Sequence, residues 1–193
     1  MSNETVNMPA EMTIGKKRFV IAPKDDEIRK TFEKVIEKNE EIRDNVSGAA
    51  IEIIFVHPNI SKRVIAQAVK SSKELKFFTK RDYLIEFSAD FWDLMNDDQK
   101  YYVMLHELCH LYKKYNFKTD ETSYGLVDHN VKDFAQVITE AGGIHWFQDL
   151  KNKMVEKFCN DAKIKDKDDE ETVSEKESEL KVKQEKYKKS IKI

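Results

Sequence analysis

The chain has 193 residues, 40% of them hydrophobic and 36% charged, with a formal net charge of −2. This balance describes a folded domain with a modest core and a heavily solvated surface, and it excludes a global field toward nucleic acid or an anionic membrane. No apolar run approaches the ~18–20 residues a membrane span needs, and two cysteines, Cys109 and Cys159, supply no disulfide framework, so a reducing cytoplasm is the expected location.

Residues 1–16 read as a loose, polar leader without a signal-peptide core. Lys17 to Ala22 is a short strand or docking segment closed by Pro23. Asp25 and Asp26 suit a helix N-terminus, and Ile28, Phe32, Val35, Ile36 and Ile42 follow at helical spacing, which predicts one amphipathic helix over 26–44. Ala50 to Val56 is rich in β-branched residues and predicts a strand, ended by His57-Pro58-Asn59. The stretch 64–69 is read as a strand between two turn-like segments, and Tyr83 to Ser88 alternates as a strand does. Ala89 to Met95 predicts a short helix carrying Phe91, Trp92 and Leu94 inward. Asn96, with Asp97 and Asp98 behind it, caps a helix expected to run to about Tyr115. A loop over 116–127 follows, then a helix over about 130–141 with Asp128 as its N-cap and Gly142-Gly143 as its stop. Trp146 and Phe147 return to the core, and Met154, Val155 and Phe158 finish a last helix. Residues 161–193 form a charged tail, helical or disordered and a candidate partner-binding segment, because too little apolar surface is present to offset ordering entropy.

The chemistry concentrates in His106-Glu107-Leu108-Cys109-His110, an H-E-x-x-H motif. Residues four apart share one helix face, so His106 and His110 can present two imidazole nitrogens to one ion, zinc by the usual preference of such ligands. Glu107 lies roughly 100° round the helix, off the metal but within reach of its water, where a general base is needed. The flanks Tyr101, Val103, Met104, Leu105, Leu108 and Leu111 mark a buried helix, on which two histidines and a glutamate are costly unless something satisfies them. A catalytic zinc takes a third protein ligand. His129 is the first choice, and Asp133 is the alternative, as ligand or as the group that orients a ligand histidine. Glu140 is a weaker candidate. Tyr124 is a candidate oxyanion donor. His57, His145 and Cys109 are read as packing or surface residues rather than ligand or nucleophile.

The segments YLIEFSADFWDLMNDDQKYYVMLHELCHL and LVDHNVKDFAQVITEAGGIHWF resemble the putative phage metallopeptidase family, itself similar to the SprT-like zinc peptidases. Trp92, His106-Glu107-x-x-His110, His129 and Asp133-Phe134 carry the likeness, over roughly 50–150. The resemblance implies an α+β, compact zincin-like (minigluzincin or SprT-like) domain over 17–160, a small sheet packed on the HExxH helix and a following helix, with the N-terminal helix added. It implies His106, His110 and His129 on zinc, Glu107 as the catalytic residue, a protein or peptide substrate, and a phage or prophage origin that places the chain in a host cytoplasm. No cysteines remain for a zinc ribbon, so nucleic acid is not expected as a direct ligand. The alternative from another class is a non-catalytic, zinc-bound phage protein that acts by binding a host partner.

Overall fold

The computed structural model describes residues 10–129, 134–143 and 145–165. Strands Glu11–Ile14 (β1) and Lys17–Ile21 (β2) pair as a hairpin around Gly15, whose φ of 61° suits a residue without a Cβ. The sequence reading leaves 11–14 loose. The turn instead folds this stretch back on β2, although all four of its side chains stay exposed. The expected single helix over 26–44 is two helices, Glu27–Lys38 (α1) and Glu40–Val46 (α2), broken at Asn39. The Asn39 side chain donates to the Val35 carbonyl and to the Tyr101 hydroxyl, each at 3.0 Å. Such a side chain competes with the backbone for local partners, and here it holds the break against a residue far away in sequence.

Ile51–His57 (β3), Ala66–Lys70 (β4), helix Lys73–Thr79 (α3) and Tyr83–Ser88 (β5) follow. The helix α3 replaces an expected turn. Ser72 caps it by accepting from the Leu75 N–H at 3.1 Å, but its Phe77 and Phe78 stay exposed, so no amphipathic pattern announces it. The short helix Ala89–Trp92 (α4) leads into Asp97–Cys109 (α5), then Leu111–Asn116 (β6), Glu121–Leu126 (β7), Ala135–Glu140 (α6) and His145–Lys165 (α7). The fold is α+β. One sheet has the order β1-β2-β3-β5-β4, with β3 and β5 parallel and the other neighbours antiparallel; β6 and β7 form a separate antiparallel hairpin.

The core lies between this sheet and helices α1, α5 and α7. Ile53, Ile85 and Phe87 of the sheet, Phe91 and Trp92 of α4, and Met104, Leu105 and Leu108 of α5 are all buried. Leu150, Met154, Val155 and Cys159 close it from α7. That helix reaches Lys165, beyond the expected start of the tail; residues 166–193, where most of the tail falls, lie outside the described residues. No helix among the described residues is long and apolar enough to cross a membrane.

Two polar contacts lock the layers. Glu52 on β3 is buried and paired with Arg29 of α1 at 2.6 Å and with Arg81 at 3.0 Å. Burial pushes its carboxyl up, but the hydrogen bonds and charges of the two guanidinium groups outweigh that and hold it below 4.5. Tyr83 on β5 is fully buried, and its hydroxyl donates to the Gly125 carbonyl at 2.8 Å and to the Tyr112 carbonyl at 3.1 Å, fastening the β6–β7 hairpin to the main sheet. Burial drives this phenol up to about 12, so it remains a donor at every physiological pH.

Tyr83→Phe removes the buried hydroxyl that ties the hairpin to β5, while the ladder still serves the two carbonyls, and should lower stability by about 0.5–1.5 kcal/mol, read as a reduced denaturation midpoint at unchanged m-value. The Glu52 ion pairs contribute stability that is present above pH 4.5 and lost as pH falls through the lowered folded-state pKa. Glu52→Gln should therefore flatten the acid limb of the stability–pH profile, and a limb of unchanged slope would show that other carboxylates control it.

Candidate metal centre

Helix α5 begins with a complete capping box, in which the Asn96 side chain accepts from the Gln99 N–H at 2.9 Å and Gln99 returns the bond to the Asn96 N–H at 3.2 Å. The helix then runs into the core, where His106 is fully buried and Glu107 is 1% exposed. It ends at Cys109, with His110 as its cap, rather than continuing to Tyr115. The following residues form β6, and the expected loop over 116–127 is the turn and second strand of a hairpin. Turn chemistry visible in the sequence explains the difference. Asn116 accepts from the Lys118 N–H at 3.0 Å, and Asp120 takes a left-handed φ of 54°.

That hairpin is what returns the chain to the motif. Its register sets Leu111 against Leu126. One step further, the Val127 N–H donates to the His110 carbonyl at 2.8 Å, and the His110 ring Nδ1 lies 2.7 Å from the Val127 carbonyl. A carbonyl only accepts, so Nδ1 carries the proton and Nε2 is left with its lone pair. His129 stands two residues past Val127, and its Nε2 lies 2.9 Å from Nε2 of His106. The ring centroids of His106, His110 and His129 form a triangle with sides of 5.2, 4.8 and 4.8 Å. One nitrogen from each ring lies within 4.8 Å of the others, a group able to hold a metal ion. Burial pushes His110 down, joined by the charges of His106 and His129 and opposed by its bond to Val127, which favours the neutral, ligating form.

Glu107 and His110 line a cleft of about 330 Å³ together with Val64, Ala66, Gln67 and Ala68 at β4 and Leu126, Val127 and Asp128 at the end of the hairpin. The structure thus brings His106, Glu107, His110 and His129 into one place. Asp133 lies outside the described residues, so its alternative role as third ligand falls outside them too. Glu140 is not among the clustered ligands; its carboxylate accepts from the Tyr101 hydroxyl at 2.9 Å and from Gln136 at 3.4 Å. Tyr124 points its hydroxyl at the Ser47 carbonyl, 3.3 Å away, and does not line the cleft. Residues 130–133, where a helix capped by Asp128 would begin, lie outside the described residues; the described helix starts at Ala135 with Phe134 in the capping position, and Asp128 lines the cleft. Gly142 and Gly143 do stop it, at φ 69° and 133°.

Cys109 faces a larger cavity of about 910 Å³, with its sulfur 3.7 Å from the Gln136 amide oxygen. His57 ends β3 and His145 opens α7, neither of them in the cluster. Sequence reasoning missed three supports: the Val127 carbonyl, the Asn39–Tyr101–Glu140–Gln136 network beside the site, and the ring of Phe134. Backbone carbonyls carry no sequence signal. Phe134 carries part of the family likeness, but nothing in the sequence places its ring against the three imidazoles.

No curated protein and no solved structure gives a significant match to the chain. A family match does exist, and it runs over residues 21–163, wider than the 50–150 stretch that carries the motif resemblance; it takes in α1 and α2 and nearly all of α7. Spanning the whole histidine cluster and most of the chain, this match places the protein in the family described as putative phage metallopeptidase.

Proposed function

We propose that this chain is a zinc-dependent peptidase in which His106, His110 and His129 hold the metal and Glu107 is the catalytic residue. The observation that carries the reading is the convergence of three imidazole nitrogens next to a cleft walled by a buried glutamate. The donor set suits zinc. Nitrogens at about 2.0–2.1 Å from one tetrahedral ion sit about 3.3–3.4 Å apart. The 2.9 Å pair and the 4.8 Å outer bound bracket that value. All-imidazole ligation also favours zinc over the harder magnesium and calcium ions. A helix bearing H-E-x-x-H beside a sheet is the arrangement the zincin reading requires.

When bound, zinc supplies a Lewis acid that polarises a carbonyl and lowers the pKa of water toward ~7. The rest is done by the chain. Strand β4 is terminal in the sheet and lines the cleft, so it is the edge along which an extended peptide would pair. His110, fixed by Val127, keeps one orientation throughout. The Glu107 carboxylate accepts a proton from the attacking water, and it delivers that proton to the amide nitrogen as the C–N bond breaks. The substrates are proteins or peptides in the host cytoplasm.

Glu107→Gln removes the base and keeps the shape. Cleavage of a quenched-fluorescent peptide library by the zinc-loaded protein should fall by about 10²–10⁴-fold, while zinc content stays at the wild-type level. A wild type that cleaves nothing, or a variant that cleaves normally, would sink the catalytic reading in favour of a binding role. His129→Ala should weaken zinc binding by more than about 100-fold, beyond the loss expected for an outer partner, as read by chelator competition. Unchanged affinity would remove His129 from the site.

A further inference from the structure

One aromatic ring touches all three imidazoles. The Phe134 centroid lies 5.4 Å from that of His106, 4.7 Å from His110 and 5.1 Å from His129, with interplanar angles of 70°, 83° and 67°. Each contact is edge-to-face, the arrangement the ring quadrupoles favour. Four rings therefore stand at the corners of a rough tetrahedron with every edge near 5 Å. Phe134 is itself buried, at 7% exposure.

Its position is held from both directions. Phe134 has extended backbone, φ −82° and ψ 134°, at the start of α6, so its ring does not follow the helix face. Helix α6 is fastened to the body by Gln136, which donates to Asn39 at 2.7 Å, and by Glu140, which accepts from the Tyr101 hydroxyl at 2.9 Å. Phe134 also lines the 910 Å³ cavity that Glu41, Asn45 and Cys109 share, whereas Glu107 and His110 line the cleft at β4. The ring thus borders the larger cavity on one side and touches the histidine cluster on the other, while Leu126, Val127 and Asp128 line both spaces.

We propose that Phe134 is a positioning residue for the metal centre: it fixes the planes of His106, His110 and His129 and keeps the water of the adjoining cavity off them. This rests on the reading of the three imidazoles as a metal site. The physical reason is that an apolar edge packed on each ring limits its rotation without competing for a nitrogen. Removing the wall lets water in as an extra donor and loosens the angles between ligands.

The test uses the full-length chain with cobalt(II) as the probe, in wild type, Phe134→Leu and Phe134→Ala. Wild type should show the intense visible absorption of a tetrahedral site. Phe134→Ala should bind cobalt and zinc about 10–100-fold more weakly, the scale on which outer partners of metal ligands act, with a weaker, blue-shifted cobalt band from added water. Phe134→Leu keeps an apolar wall but loses the ring edges, and it should fall between the two. Thermal midpoints of the metal-free proteins provide the control, because a purely structural role would lower these and leave the cobalt spectrum of the folded fraction unchanged. Affinities within twofold of wild type and identical spectra in both variants overturn the role of Phe134 and leave the metal site standing. A wild type that binds no cobalt overturns both.

Discussion

The paired contact between His110 and Val127 is the constraint on which the site depends. One peptide unit takes the His110 ring proton and another donates to the His110 carbonyl, so the end of α5 and the end of β7 are sewn together at a single residue pair. The pair does two things at once. It leaves Nε2 of His110 unprotonated and able to ligate, and it delivers the chain to His129 at the height of the motif. A histidine whose second nitrogen is committed to a carbonyl has a settled tautomer and ring plane. The bond from the Val127 N–H to the His110 carbonyl extends the hairpin ladder by one step, and the ring takes up the Val127 carbonyl, so the site inherits the rigidity of a β-register.

Around that pair, buried polar groups are satisfied in closed sets. Tyr83 serves both carbonyls of the facing pair Tyr112 and Gly125, which ties the hairpin to β5. The Tyr112 ring packs over Gly125, 2.4 Å from where a Cβ would stand, so a larger residue there would push that ring aside. On the other side, Asn39 donates to Tyr101, Tyr101 donates to Glu140, and Gln136 donates back to Asn39. Low local dielectric strengthens such a ring of bonds and makes any broken member costly. The result is that α1, α2, α5 and α6 meet at fixed distances beside the histidines.

Much of the fold was readable from local pattern. Strands β3 and β5 show β-branched and aromatic residues in the right lengths, and the Asn96 cap and buried face of α5 are plain in the sequence. The failures share a cause. The break at Asn39 depends on Tyr101, a partner far along the chain, and the helix pattern across it is unbroken. Helix α3 buries none of its residues, so periodicity could not report it. At Tyr112 to Tyr115, helix and strand were both locally acceptable, and the pairing with Glu121–Leu126 chose the strand. The turn residues Asn116 and Asp120 held that information, but only for a reader already expecting a hairpin.

By itself the sequence determined the part of the site that lies within one helical turn. An i, i+4 spacing puts His106 and His110 on one face, whatever surrounds them, because helix geometry is local. It also determined that Glu107 sits off that face. Where His129 arrives, which nitrogen of His110 is free, which strand edge borders the cleft and which ring backs the imidazoles were decided only by tertiary structure. Those facts depend on the register of a hairpin, on backbone carbonyls and on the order of strands in a sheet, and these arise from contacts between residues distant in the chain.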